Sequence, residues 1–180
     1  GWVAAAVGAG SILFYVLVYT MWLKPRTPQN IVIGGAAGAT TPLIADAALT
    51  GSIGWGSLML FLIIFFWTPP HFWAIALFRK EEYASAGIPM MPNVVGDQPT
   101  RWRMLAYTLL LVPISLAPVA VGYMGWLYGA SAVGLGLWFT WRCIGVLRAQ
   151  DHAVDRSFFM ASNLYLMALF AFMLVDVAVL

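Results

Sequence analysis

Residues 67–92 form the stretch of the sequence whose side chains are best suited to chemistry. The stretch begins inside an apolar segment, leaves it through Arg79, Lys80, Glu81 and Glu82, and continues into a loop punctuated by proline and glycine. Glu81 and Glu82 are the only adjacent acidic pair in the chain. Carboxylates bind hard cations such as Mg²⁺, which also bind phosphate oxygens, and Lys or Arg can neutralise the remaining phosphate charge. We therefore expect a metal or a phosphate to bind near this stretch.

Further charged residues lie in two neighbouring polar segments. Lys24 and Arg26 end the first apolar segment, while Asp97, Arg101 and Arg103 precede the fourth. Together with the acidic pair, the cations could hold a magnesium diphosphate and stabilise the charge that develops when diphosphate leaves. Basic residues at the ends of membrane helices are also common without any such role, so the charges alone leave a solvated loop as the alternative.

The two histidines have different surroundings. His71 lies inside or at the edge of the third apolar segment, beside Pro70. An ionisable group at membrane depth commonly faces a cavity or a partner, and a neutral imidazole could ligate iron or relay a proton. The alternative is a histidine bonded to a backbone carbonyl that the prolines have freed. His152 lies near Asp151 and Asp155 in a polar segment, where we expect it at the surface.

The composition places these residues in a membrane protein. Of the 180 residues, 62% are hydrophobic and 9% are charged, whereas soluble domains carry about 25% charged residues. The mean hydropathy is +0.86, and several uncharged runs approach the roughly 20 residues that a helix needs to cross a bilayer. The single cysteine, Cys143, excludes an intrachain disulfide and cannot by itself form a cysteine metal site. We expect no nucleic-acid partner.

Six apolar segments are predicted to cross the membrane, so the predicted fold class is an all-α polytopic transmembrane helix bundle. Their approximate ranges are 2–22, 30–49, 53–78, 102–123, 126–147 and 158–180. With six crossings, every Lys and Arg falls on one side of the membrane or at its helix ends, and the positive-inside bias makes that side cytoplasmic. The chain opens directly into an apolar run without a recognisable signal peptide, so we expect a fragment of a longer protein.

Two further features bear on a cavity within the bundle. The second segment is rich in glycine and alanine over residues 34–39. Such a face could serve close helix packing in lipid, or a lipid tail or planar ring could lie against it. Prolines inside the apolar segments should kink or break their helices. They are Pro42, Pro69, Pro70, Pro113 and Pro118.

Three runs of the sequence resemble the protohaem IX farnesyltransferases (haem O synthases), a group of UbiA-type intramembrane prenyltransferases. They are residues 19–35 (YTMWLKPRTPQNIVIGG), residues 67–74 (WTPPHFWA), and Glu82-Tyr83 followed by residues 86–92 (AGIPMMP). The resemblance covers essentially the whole chain. It implies roughly nine helices around a cavity open to lipid, and two acidic motifs on cytoplasmic loops that bind Mg²⁺-diphosphate.

On this resemblance, the six segments would be helices four to nine, in a single membrane domain over residues 1–180. The first three helices and the first Asp-rich motif would be missing, so we expect this piece alone to be inactive. Residues 79–101 would carry the second acidic motif. Pro25 stands where the family commonly has a basic residue, and Glu81 and Glu82 stand where an Asp pair is common. The longer side chains could change the metal geometry.

The activity that the resemblance implies is transfer of a farnesyl group from farnesyl diphosphate to the 2-vinyl group of haem b, giving haem O. Mg²⁺ would assist the departure of diphosphate. The residues expected to take part are Glu81 and Glu82 for the metal and catalysis, Tyr83 beside the diphosphate, Lys24, Arg26, Arg79 and Lys80 for phosphate, and His71 for haem iron or a propionate.

Other functions stay open. Another prenyl acceptor, such as a quinone precursor, fits the same enzyme class. A transporter would favour ionisable groups at mid-depth in several helices, whereas only His71 comes close. A non-enzymatic assembly factor would not need an acidic pair beside cations. We expect a multi-pass protein of the bacterial inner membrane with cytoplasmic basic loops, and haem A synthase or terminal-oxidase assembly as further candidate partners.

Overall fold

A computed structural model describes residues 1–179, which fold into helices joined by short connections. The helices are α1 (Trp2–Leu13), α2 (Asn30–Ala39), α3 (Thr41–Thr50), α4 (Trp55–Phe78), α5 (Lys80–Ser85), α6 (Met91–Val95), α7 (Asp97–Ala120), α8 (Trp126–Ala149) and α9 (His152–Val179), and α1 continues as a π-helix over Phe14–Leu23. Six helical segments in this range are long and apolar enough to cross a membrane. The prediction of an all-α transmembrane helix bundle is therefore confirmed.

The membrane-spanning segments agree with the predicted ranges to within a few residues at most ends. The largest differences are the starts of α7 and α9, at Asp97 rather than residue 102 and at His152 rather than residue 158. Each helix has an acidic residue in its first turn, Asp97 or Asp155. Negative charge there suits the positive end of the helix dipole, so each helix extends beyond the point where the hydropathy falls.

Helix α4 is the centre of the bundle. It packs against α2, α7 and α9, and α8 packs against both α7 and α9. Phe139 of α8 stacks on Phe158 and Tyr165 of α9, with ring centroids 4.8 and 4.7 Å apart. Trp73 of α4 is 1% exposed and makes an edge contact with Tyr107 of α7. These aromatic contacts join α8 to α9 and α4 to α7.

Proline has different effects in the second and third spans. The second span is interrupted at Thr40, between α2 and α3, and Pro42 lies in the first turn of α3. This is the break expected from a residue without a backbone N–H. Helix α4 instead continues through Pro69 and Pro70, and α7 likewise continues through its two prolines. The expectation of a break is therefore met only in the second span.

Two carboxylates fasten the helices at one end of the bundle, where α4 and α8 begin. Asp46 accepts hydrogen bonds from the Gly54 N–H at 2.7 Å and the Ser57 hydroxyl at 2.6 Å, which joins α3 to α4. Asp176, near the end of α9, accepts a hydrogen bond from the Tyr128 N–H at 3.0 Å. Both carboxylates bind backbone donors that a helix start leaves without intrahelical partners.

A buried ion pair fixes the opposite end, where α4 ends and α7 and α9 begin. We call this the basic end. Arg101 of α7 and Asp155 of α9 are 3% and 0% exposed, and they join through Nη2–Oδ2 and Nε–Oδ1 contacts of 2.7 and 3.3 Å. Removing one partner of a buried pair typically costs about 3–5 kcal/mol. The pair therefore holds the starts of α7 and α9 together beside the end of α4.

Candidate functional site

The acidic pair lies where α4 ends. Arg79 has a non-helical φ of −114° and separates α4 from α5, which places Glu81 and Glu82 in the first turn of α5. The sequence predicts a loop after Arg79, but the structure has two short helices, α5 and α6, within it. Helices this short are not stable alone. They form here because α5 and α6 pack on each other and on α4.

A polar cavity of about 230 Å³ lies over the acidic pair. It is lined by Leu77, Phe78, Arg79, Lys80, Glu81, Glu82 and His152. Arg79 Nη1 lies 2.9 Å from Glu82 Oε2, and Lys80 Nζ lies 2.7 Å from Asp97 Oδ1. The Arg79–Glu82 pair has side chains that are 54% and 67% exposed. Exposed pairs contribute little stability, so both partners can rearrange around a ligand at small cost.

A second cavity, of about 310 Å³, adjoins the first because Phe78, Arg79 and Glu82 line both. Arg156, Phe159 and Met160 of α9 complete its lining. Glu82 therefore shares a cavity with two arginines, Arg79 and Arg156. Guanidinium groups bind phosphate oxygens through paired donors, and a carboxylate can hold the metal that accompanies the phosphate.

The acidic residues outside the pair are all engaged elsewhere. Asp46 and Asp176 accept backbone hydrogen bonds at helix starts, Asp97 pairs with Lys80, Asp155 pairs with Arg101, and Asp151 accepts a hydrogen bond from the Ala153 N–H. Within residues 1–179, Glu81 makes no polar side-chain contact, and Glu82 makes only the exposed one with Arg79. The two glutamates are thus the carboxylates that can accept a ligand in a cavity.

Magnesium fits these two residues. In phosphate-transferring sites Mg²⁺ is commonly held by one or two carboxylates, with substrate phosphates and water as the other ligands. Glu81 and Glu82 can supply the two carboxylates. Among the residues that the structure describes, no group of three or more His, Cys, Asp or Glu side chains could hold a metal ion. A metal at this site would therefore need ligands beyond the glutamates, such as the oxygens of a bound diphosphate.

The remaining predicted diphosphate contacts occupy other positions. The Arg26 guanidinium donates to the carbonyls of Met21 and Trp22 at 3.1 and 3.2 Å, at the end of the π-helix. Lys24 has no polar side-chain partner in the described part of the chain, and neither basic residue lines the two polar cavities. Tyr83 is partly buried against the apolar core. The structure thus brings Arg79 and Lys80 to the acidic pair, but not Lys24 or Arg26.

An apolar cavity of about 300 Å³ lies between the π-helix, α2 and α4. Its lining is Tyr15, Tyr19, Ile31, Gly34, Gly35, Gly38, Ile64, Trp67, Thr68 and Phe72. The glycines allow close helix approach, since a Cβ at Gly34 would overlap the Tyr19 ring and one at Gly35 would lie 2.9 Å from Thr68 Cγ2. At Gly38 a Cβ would meet nothing within 4 Å. The glycine-rich face therefore packs helices and also lines a cavity, and a lipid tail or planar ring against it stays a prediction.

His71 is a buried residue with one defined hydrogen bond. Its Nδ1 lies 2.7 Å from the hydroxyl of Ser162, and that hydroxyl lies 2.6 Å from the carbonyl of Phe159. Because the single hydroxyl proton of Ser162 goes to the carbonyl, His71 Nδ1 must carry the proton and Nε2 the lone pair. The partner is thus a serine hydroxyl, not a carbonyl freed by proline. The Nε2 lone pair has no polar partner within residues 1–179.

A row of rings joins the apolar cavity to the polar cavities. Trp67, which lines the apolar cavity, stacks on His71 with centroids 4.2 Å apart. His71 contacts Phe159 at 4.7 Å, and Phe159 contacts Phe78 at 6.1 Å. Phe78 lines both polar cavities. The row therefore runs from the apolar cavity to the two polar cavities over the acidic pair.

Sequence reasoning missed two residues of this site, His152 and Arg156. The His152 side chain is 61% exposed, as expected, but it also lines the cavity over the acidic pair, and its Nδ1 lies 3.4 Å from Asp155 Oδ2. Arg156 lines the second cavity with Glu82. The only signal in the sequence was that both residues lie on the predicted basic side. Their approach to Glu82 depends on α9 packing against α4, which no local pattern specifies.

The chain belongs to the UbiA prenyltransferase family, which it matches over residues 1–173. Within that class it is similar to protoheme IX farnesyltransferase 1 of Mesorhizobium japonicum, with 53% identity over 98% of this chain and 57% of the relative. It is also similar to the protoheme IX farnesyltransferase of Rhodopseudomonas palustris, with 51% identity over 98% of this chain and 58% of the relative. The protoheme IX farnesyltransferase of Hyphomonas neptunium shows 50% identity over 97% of this chain and 58% of the relative. The predicted resemblance is confirmed.

The chain spans 57–58% of the length of these three curated relatives. No solved structure matches it. Its assignment to helices four to nine of a larger bundle therefore stays a prediction.

Proposed function

We propose that this protein transfers the farnesyl group of farnesyl diphosphate to the 2-vinyl group of haem b, giving haem O. Relatives that are 50–53% identical and named protoheme IX farnesyltransferase support this proposal. The structural observation that carries it is the row of rings between the apolar cavity and the acidic pair. A farnesyl chain needs an apolar site, its diphosphate needs cations and a metal, and the two must be adjacent.

The diphosphate end would lie over α5. Glu81 and Glu82 would hold Mg²⁺, which when bound neutralises charge on the departing diphosphate. Arg79 and Arg156 would bind phosphate oxygens, because both line a cavity with Glu82. Lys80 lines the cavity over the acidic pair and is paired with Asp97, so its contact with phosphate stays a prediction. Lys24, Arg26 and Tyr83 stay predicted contacts, which variants at each position can test separately.

The reaction begins when the bond between C1 of farnesyl and its oxygen breaks, and both electrons leave with diphosphate. The allylic cation that results still lies beside the diphosphate, where the aromatic faces of Phe78 and Phe159, which line a cavity with Glu82, would shield it from water and stabilise it. The π electrons of the haem vinyl group then form the new carbon–carbon bond. The cation moves to the carbon next to the porphyrin, where water adds and loses a proton to leave a hydroxyl group.

Haem would lie near the middle of the row of rings. His71 is the candidate contact there, because its protonated Nδ1 is held by Ser162 and its Nε2 can accept a hydrogen bond or ligate iron. The ring is fixed between Trp67 and Phe159. A fixed ring with a free lone pair is suited to hold the substrate in one orientation.

The six apolar helices and the family support a multi-pass integral membrane protein. We propose the bacterial inner membrane as its location, with the basic end in the cytoplasm. The clustering of Arg79, Lys80 and Arg101 at the C-terminal end of α4 supports this orientation through the positive-inside bias. Haem A synthase or terminal-oxidase assembly would be the partner class that consumes haem O.

The proposed activity is tested with membranes that contain the complete protein, supplied with haem b and farnesyl diphosphate, with and without Mg²⁺. Mass spectrometry should detect haem O only when both substrates and Mg²⁺ are present. Farnesylation of an aromatic quinone precursor without any haem O would identify a different acceptor. Membrane-inserted protein that consumes no farnesyl diphosphate with any acceptor would contradict prenyl transfer altogether.

A further inference from the structure

A further cavity at the basic end, of about 370 Å³, lies between the end of α8 and the start of α9. It is lined by Trp141, Arg142, Ile144, Gly145, Arg148, Ala153, Val154, Ser157 and Phe158. None of these residues lines the two cavities over the acidic pair. The groove is therefore separate from the proposed diphosphate site, although both lie at the basic end.

The charges of this groove are uncompensated. Arg142 lies seven residues before Ala149, the last residue of α8, and therefore about 10 Å along the axis from the end of this helix. Its guanidinium donates to the neutral hydroxyl of Ser157. In the described part of the chain, neither Arg142 nor Arg148 forms a salt bridge. Two guanidinium groups without an acidic partner at the basic end make the groove suited to an anion.

The remaining lining is apolar and open to lipid. Trp141 is 66% exposed, and Leu137, one turn earlier on the same face of α8, is 63% exposed. A Cβ at Gly145 would meet nothing within 4 Å, so this position leaves the groove open. An anionic headgroup with an attached hydrocarbon chain would match two arginines at the membrane boundary and an apolar strip that leads into the bilayer.

We propose that the α8–α9 groove binds one anionic phospholipid. Its phosphate lies against Arg142 and Arg148, and one acyl chain runs along Trp141 and Leu137. The two arginines make the groove prefer an anionic ligand. The exposed side chains of Trp141 and Leu137 make it prefer a lipid over free phosphate. This site is independent of the prenyl-transfer site, so it can be tested without measuring activity.

The test uses the complete protein purified in detergent and titrated with dioleoylphosphatidylglycerol or dioleoylphosphatidylcholine, with bound lipid counted by native mass spectrometry. The wild type should retain one phosphatidylglycerol and bind phosphatidylcholine more weakly. Arg142→Gln and Arg148→Gln should each weaken phosphatidylglycerol binding about fivefold. Gly145→Leu should weaken binding of both lipids, because its side chain fills the groove. Arg103→Gln removes an exposed arginine whose guanidinium donates to the Pro99 carbonyl of the same helix, and it should leave the binding of both lipids unchanged.

Three results would overturn the proposal. The first is equal binding of the two lipids by the wild type. The second is unchanged phosphatidylglycerol binding in both Arg148→Gln and Gly145→Leu. Both variants should fold, because Arg148 is exposed and a Cβ at Gly145 would meet nothing within 4 Å. The third is a thermal stabilisation by inorganic phosphate alone that equals the effect of phosphatidylglycerol and depends on the same arginines, which would identify a site for free phosphate.

Discussion

Replacing Glu82 by glutamine should remove most of the prenyl-transfer activity and leave the protein folded. The change keeps the size of the side chain but removes the charge that would hold Mg²⁺. Loss of one preorganised charge-stabilising group typically lowers kcat by about 10²–10³-fold. The cost in stability should be below about 1 kcal/mol, because the broken ion pair with Arg79 is 54% and 67% exposed. Haem O formation at saturating Mg²⁺ and the thermal midpoint in detergent measure the two effects.

The matched control for this variant is Asp151→Asn. Asp151 is an exposed carboxylate at the same end of the protein, and it lines neither polar cavity. Asparagine can still accept the hydrogen bond from the Ala153 N–H. This control should keep its activity. If Glu82→Gln made haem O at more than about half the wild-type rate, the assignment of Glu82 to the metal would be wrong.

Four further substitutions test other parts of the account. Asp155→Ala should lower the free energy of unfolding by about 3–5 kcal/mol, because it leaves the Arg101 charge buried without a partner; a thermal midpoint equal to that of the wild type would contradict this. Gly38→Leu should raise the KM for farnesyl diphosphate by placing a side chain in the apolar cavity, at a position where a Cβ would meet nothing within 4 Å, and an unchanged KM would exclude this cavity as the isoprenoid site. His71→Leu should raise the KM for haem b far more than the KM for farnesyl diphosphate. Ser162→Ala, which removes only the hydrogen bond to His71 Nδ1, should raise the KM for haem b by a smaller factor. If His71→Leu raised both KM values equally, His71 would not be a haem contact.

The sequence predicts the membrane spans well, because length and apolar character are local properties of each segment. The break near Pro42 follows from the missing N–H of proline, and the charge of the basic end follows from counting crossings. The starts of α7 and α9 were predicted too late, because Asp97 and Asp155 are polar yet belong to helices. Hydropathy alone does not detect a polar first turn at the membrane boundary.

The site was predicted only where its parts are close in sequence. Glu81 and Glu82 stand beside Arg79, so their grouping could be read from the chain. Arg156 joins them only through the packing of α9 on α4, and His71 meets Ser162 across 91 positions of sequence. Such contacts depend on the register of packed helices, which side-chain type does not specify. The short helices α5 and α6 were missed for the same reason, since tertiary contacts stabilise them.

The most direct test of the central claim is a structure of the complete protein with Mg²⁺ and a non-reactive thio-analogue of farnesyl diphosphate. The account predicts diphosphate density against Glu81, Glu82 and Arg79, with the isoprenoid chain leading along the row of rings toward Trp67. Diphosphate bound elsewhere, with the acidic pair still facing solvent, would contradict the proposed site.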